Sequence, residues 1–148
     1  MFHLLSNVAR GILKSAMREA RRTGHACIGP SHLLIGIMDE GACAGARALK
    51  DCGLDTRTIR DALILHDQSD PTGISCEELP FTPEAKQALE WAVDYSEILG
   101  SKSVGTGHLL LGLLRLDGGP VQKLLNDRGI LAEKFHGQVL RLLGDTSG

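Results

Sequence analysis

One segment of this chain is written twice. Gly29-Pro30-Ser31-His32-Leu33-Leu34-Ile35-Gly36-Ile37-Met38 returns 76 positions later as Gly105-Thr106-Gly107-His108-Leu109-Leu110-Leu111-Gly112-Leu113-Leu114. At the same offset, without a gap, Ala9 falls on Ala85, Leu13 on Leu89, Ala16 on Ala92, Gly24 on Gly100, Leu49 on Leu125, Asp51 on Asp127 and Gly53 on Gly129. Chance self-similarity does not keep glycines, histidines and core residues in step over most of a chain, so the fold is built from two copies of one unit. In a chain of 148 residues, separate halves of about 70 residues would each be marginal. One domain in which both repeats share a core is the economical reading.

Hydrophobic spacing makes the unit helical. Val8, Ala9, Ile12, Leu13, Ala16, Met17 and Ala20 form one stripe of an α-helix that Gly24 ends. Further helices are expected from about Ser31 to Glu40, Ala42 to Cys52 and Thr56 to His66, the last burying Ile59, Ala62 and Leu63. In the second copy Thr82-Pro83-Glu84 reads as an N-cap followed by proline at the first helical position, and that helix ends at Gly100. Thr106 is placed to cap the next, Gly118-Gly119-Pro120 precedes a helix closing at Gly129, and the last spans about Leu131 to Leu143 before a polar tail. The predicted fold is all-α: eight helices in two four-helix repeats, about residues 5–66 and 81–143, related by a pseudo-twofold and joined by a loop over 67–80.

Only 3% of the residues are aromatic, so the core must be aliphatic. No apolar run reaches the roughly 20 residues a bilayer-spanning helix needs, and Met1-Phe2-His3-Leu4-Leu5 is not a signal peptide. A cytoplasmic protein without membrane partners is expected. Cys27, Cys43, Cys52 and Cys76 show no CxxC spacing and do not recur between repeats, which predicts neither a disulfide framework nor a zinc site but reduced thiols. A net charge of −2 argues against nucleic acid as a partner, since no overall positive field displaces counterions from phosphates. The charge is unevenly placed. Arg10, Lys14, Arg18, Arg21 and Arg22 face Glu19 alone in the first helix, whereas its copy carries Glu84, Glu90, Asp94 and Glu97 against Lys86.

The segment Gly24-His25-Ala26-Cys27-Ile28-Gly29-Pro30-Ser31-His32-Leu33-Leu34-Ile35-Gly36-Ile37 and its second copy resemble the repeated signature of the Clp N-terminal domain, which stands at the front of ClpA- and ClpC-type unfoldases. The likeness covers about residues 5 to 143. It implies an all-helical docking platform that receives adaptors and substrates for an ATP-driven ring feeding a protease. No G-x-x-x-x-G-K-[ST] loop occurs, so this chain lacks the means to bind ATP as the rings do. It reads as a stand-alone N-domain protein or as the N-terminal part of a larger one, with the methionine start favouring the former.

Some ClpC-like relatives bind phosphoarginine on this domain, once per repeat. At the matching positions the glutamate that pairs the guanidinium is replaced by Ser31 and Gly107, while a hydroxyl at the start of the first helix survives as Ser6 and Thr82 and a cation one turn later as Arg10 and Lys86. A helix start with a hydroxyl and a cation makes a phosphate cradle. Without the carboxylate the guanidinium loses its bidentate partner, and these residues read equally as plain N-caps beside a solvated cation.

His32 and His108 invite a metal or hydrolytic reading, with nearby thiols, if the pseudo-twofold brings them together. No carboxylate accompanies them at a repeated spacing, so loop-fixing hydrogen bonds are the expected role. Gly36 and Gly112 sit inside helices, where glycine costs about 1 kcal/mol against alanine, which predicts close packing of another helix. Ala88, Trp91, Tyr95 and Ile98 lie on one edge of the second repeat's first helix, where the first repeat has Ile12, Ser15, Glu19 and Arg22. Trp91, Tyr95 and Ile98 are thus candidates for protein binding, or for packing against the 67–80 loop. The expected function is a non-catalytic, cofactor-free and metal-free docking module whose partners are Clp unfoldase or protease components and adaptor or substrate proteins. A structural subunit of a protease core is the competing reading, and a histidine-based enzyme a third.

Overall fold

The computed structural model describes residues 4–22, 24, 27–40, 43–66, 81–116 and 120–145. The loop expected over 67–80, the packing of Trp91 against it and the last three residues of the polar tail fall outside them. Among these residues eight helices follow in order: α1 (Asn7–Arg22), α2 (Pro30–Glu40), α3 (Ala44–Asp51), α4 (Thr56–His66), α5 (Pro83–Ile98), α6 (Thr106–Leu114), α7 (Pro120–Asp127) and α8 (Ala132–Asp145). No strand occurs among the described residues. α1 and α5, like α3 and α7, match residue for residue at the 76-residue offset, and the other two pairs share their starts.

The helix ends follow from local chemistry. Gly24, Gly53, Gly100 and Gly129 take φ of 76°, 80°, 72° and 70°, the left-handed conformation that closes a helix and that side chains with a Cβ resist. Ser6 Oγ accepts from the Ala9 N–H at 3.1 Å, and Thr82 Oγ1 from the Ala85 N–H at 3.2 Å. Asp55 Oδ1 accepts from the Thr58 N–H at 2.7 Å, and that bond holds its carboxyl below the usual carboxylate range. Thr106 departs from expectation: it is the first helical residue rather than the cap, a place held by Gly105. Its hydroxyl instead accepts from the Gly45 N–H at 3.4 Å, a buried bond between repeats. α8 also continues past Leu143 to Asp145.

α2 and α6 form the centre. Every residue from His32 to Met38 and from Thr106 to Leu114 is buried, the pattern of a helix covered on all sides. α1 lies on α2 and α5 on α6. A Cβ on Gly36 would stand 2.7 Å from the Ile12 carbonyl oxygen, and one on Gly112 would overlap the Ala88 carbonyl oxygen, so both glycines permit helix backbones to touch. α1 buries Ala9, Ile12, Leu13, Ala16 and Ala20, but Val8, assigned to the same stripe from spacing, is 43% exposed.

The repeats exchange contacts reciprocally. Leu5 bridges Val104, and Phe81 bridges Ile28. Phe81 is the copy of Leu5 and Val104 the copy of Ile28, so each repeat offers its partner the same pair of elements. That reciprocity is the mark of a twofold relation. The bridges are held by Ser6 N–H to the Val104 carbonyl at 2.9 Å, Val104 N–H to the Leu4 carbonyl at 2.8 Å and Thr82 N–H to the Ile28 carbonyl at 3.0 Å.

Candidate functional site

The twofold exchange places the phosphate-cradle candidates differently from one cradle per repeat. Because Leu5 pairs with Val104, Ser6 at the start of α1 faces the start of α6, in the other copy. The two share a cavity of about 730 Å³ lined in part by Ser6, Val8, Leu99, Lys102, Gly107 and Leu143. Correspondingly, Thr82 lies against Gly29, just ahead of Ser31. Each candidate is therefore composite. Among the described residues no Asp or Glu lines the cavity, and a Cβ at Gly107 would come within 2.9 Å of Leu143 Cγ. Leucine thus fills the space an acid at position 107 would enter. The Ser6 and Thr82 hydroxyls accept helix-capping bonds, and Arg10 and Lys86 are exposed.

The repeated histidines are spent on the scaffold. Gly29 N–H donates to His32 Nδ1 at 2.9 Å and Gly105 N–H to His108 Nδ1 at 2.8 Å, so each imidazole reaches back one turn to satisfy the backbone donor where its helix begins. Nδ1 must be bare to accept. His108 is thereby fixed as the Nε2–H tautomer, with Ser101 Oγ 3.4 Å away. Burial pushes the His108 pKa down. Both histidines are buried, at 4% and 3% exposure. Among the described residues no three His, Cys, Asp or Glu side chains gather as a metal site. Burial raises the Cys52 thiol pKa, opposite to what a nucleophile needs. Cys43 and Cys52 are free, but Cys27 takes part in a disulfide, which corrects the reading of four reduced thiols. Spacing rules detect local cysteine motifs and miss a bridge of this kind.

Ala88, Trp91, Tyr95 and Ile98 do not form one open face. Ala88 is core beneath Gly112, Trp91 and Tyr95 are half-buried against the core, and Ile98 is 77% exposed. The Arg115 guanidinium covers the Trp91 ring at 4.6 Å, a cation–π contact, and Tyr95 Oη lies 3.1 Å from His136 Nε2. Sequence reasoning missed the counterpart in repeat one. At the positions equivalent to Tyr95, Ile98, Arg115 and His136 stand Glu19, Arg22, Asp39 and Arg60, joined as ion pairs: Glu19 to Arg22 at 2.6 Å, Glu19 to Arg60 at 3.4 Å and Asp39 to Arg60 at 3.4 Å. The Arg22 hydrogen bonds hold the Glu19 carboxyl below the usual carboxylate range against the opposing effect of its burial, aided by the Arg60 charge. Aligning the repeats at Glu19, Asp39 and Arg60 would have exposed the exchange of an ionic for an aromatic cluster. Since Arg115 shields Trp91, Arg115→Ala should red-shift tryptophan emission and increase acrylamide quenching; unchanged quenching would mean the guanidinium does not cover the ring.

The whole-chain pattern has relatives. The chain is 38% identical over 99% of its length to an ATP-dependent Clp protease ATP-binding subunit ClpA homolog of Cyanidium caldarium, and 37% identical over 97% to the negative regulator of genetic competence ClpC/MecB of Bacillus subtilis. It spans only 17% and 18% of those proteins. Its fold is similar to the N-terminal domain of the chaperone ClpD from Arabidopsis thaliana, with a TM-score of 0.78 at 21% identity, covering 97% of each chain. It is also similar to a ClpV N-domain solved in complex with a VipB peptide, with a TM-score of 0.75 at 19% identity, covering 97% of this chain and 89% of that one. The Clp repeat (R) N-terminal domain model matches residues 4–128, and the chain belongs to that family.

Proposed function

We propose that this chain is a non-catalytic docking domain that receives adaptor or substrate proteins for a Clp-type ATP-dependent unfoldase and protease. One observation carries the reading: both copies of the signature histidine are buried helix-end ligands, so the residues that recur build a scaffold and leave recognition to the surface. The ClpV N-domain solved with a VipB peptide supports peptide binding on this fold. In this reading Ser6 and Thr82 act as caps rather than phosphate ligands, and Arg10 and Lys86 as surface cations. Free phosphoarginine should therefore give no micromolar isotherm in calorimetry. A micromolar isotherm that vanishes in a Thr82→Ala, Lys86→Ala variant would overturn this. Co-purification with Clp components separates docking from a structural subunit. A docking domain should retain the peptidase only together with the unfoldase or a client, whereas a subunit decorating the core would bring it down alone.

A further inference from the structure

We infer that the exposed face of α1, ending in the pocket beside Arg60, is a docking surface for an acidic, Asp/Glu-rich segment of a partner protein. The inference rests on the docking reading above and names the partner's chemistry. Arg10, Lys14, Arg18 and Arg22 are all exposed and recur every fourth residue, which puts them in one row about 18 Å long on the helix. The one carboxylate of α1, Glu19, is buried, so it does not break the row at the surface. At the row's end Ser15, Arg18, Arg22 and Arg60 help to line a pocket of about 480 Å³ that also holds Glu19 and Asp39. Arg60 shares one terminal nitrogen between those acids at 3.4 Å, while its Nε is buried and has no acceptor among the described residues.

The duplication supplies an internal control. On the same scaffold, α5 has Lys86, Glu90, Asp94 and Ile98 where α1 has its four cations, and the Trp91 indole under Arg115 where Ser15 opens the pocket. The helix geometry therefore does not require a cationic row or an open pocket; both belong to repeat one. An extended segment of about five or six residues matches the row's length. The match in charge favours carboxylates, and the field is local because the chain is net negative. A second copy of this chain is the poorer occupant, since Lys86 sets a cation at one end of the acidic stripe on α5.

The test uses the full chain and a fluorescent ten-residue glutamate peptide, read by anisotropy at low salt. Binding is expected, with a loss of affinity of about tenfold in an Arg10→Gln, Lys14→Gln, Arg18→Gln variant, as removal of three exposed charge contacts implies. It should weaken with added salt, and an uncharged glutamine peptide should not bind. A Glu90→Gln, Asp94→Gln variant should bind like the parent. Glutamine is a good helix former at these exposed sites, and circular dichroism confirms that each variant folds. No binding, equal binding of the uncharged peptide or an undiminished triple variant would overturn the inference. So would tighter binding of a thymidine oligonucleotide, or a dimer in sedimentation that the triple variant dissolves. If the peptide fails while Clp components still co-purify, this inference alone falls and the docking reading stands.

Discussion

Gly112→Ala is expected to destabilise the domain by about 3 kcal/mol, at or beyond the upper end of overpacking costs. At this chain length that is a fall of about 6–12 °C in melting temperature. The added methyl would meet the Ala88 carbonyl oxygen, with the Ala88 carbonyl carbon at 3.1 Å and the Ala92 nitrogen at 3.3 Å. All three are backbone atoms, which have no rotamer by which to yield. α5 must therefore lift off α6, and the apolar contact between them opens. Gly36→Ala, facing the Ile12 carbonyl oxygen at 2.7 Å, should follow the same direction with a smaller loss. The control is Gly11→Ala: that site lies on the exposed side of α1 with nothing within 4 Å, so replacing glycine there should stabilise by up to about 1 kcal/mol. Thermal denaturation of the three variants checks the claim, and a neutral Gly112→Ala would refute backbone contact between α5 and α6.

His108→Ala should have the second-largest effect, and it carries a pH signature. Truncation strands the part-buried Gly105 N–H, which costs about 1 kcal/mol, the lower end for a donor that loses its acceptor, and leaves space in place of the buried ring beside the start of α6. The sign of the pH dependence follows from the bond. Nδ1 accepts only while bare, and burial lowers the folded-state pKa, so the native protein binds a proton here less readily than the unfolded chain. The histidine's contribution is then complete above the unfolded value of about 6.5 and is lost as pH falls through the lower folded value. Melting temperatures measured from pH 7.5 to pH 5 should fall more steeply for the parent than for His108→Ala. Parallel curves would mean that the ring is not held neutral by its place in the fold.

Most of the scaffold was legible because its signals are local. The left-handed glycines, the hydroxyl caps and the apolar spacing each act within a few residues, and each recurs at the 76-residue offset. Thr106 was misread because a hydroxyl before a helix looks like a cap in sequence, while its bond to Gly45 depends on the other repeat. Val8 was misread because periodicity gives the direction of a side chain and not the depth of what covers it. The site was less legible for the same reason. Ser6 meets α6 and Thr82 meets the Gly29 segment only through the twofold exchange, Leu143 enters the space before Gly107 from a helix far along the chain, and Glu19 finds Arg60 across three elements. Trp91 and Tyr95 stood out as large aromatics on a non-duplicated edge, yet Arg115 and His136 engage them. The differences between the repeats were visible as residue identities, whereas their meaning as two alternative clusters needed the fold.

We propose a platform, built by the repeated residues, that holds other proteins for Clp-type degradation. It is tested most directly by capture on the immobilised full chain from a native lysate, with quantitative mass spectrometry against bare matrix. Enrichment of Clp unfoldase or peptidase subunits together with adaptors or short-lived proteins is expected. Enrichment of none of these, from a chain shown to be folded by its melting curve, would contradict it.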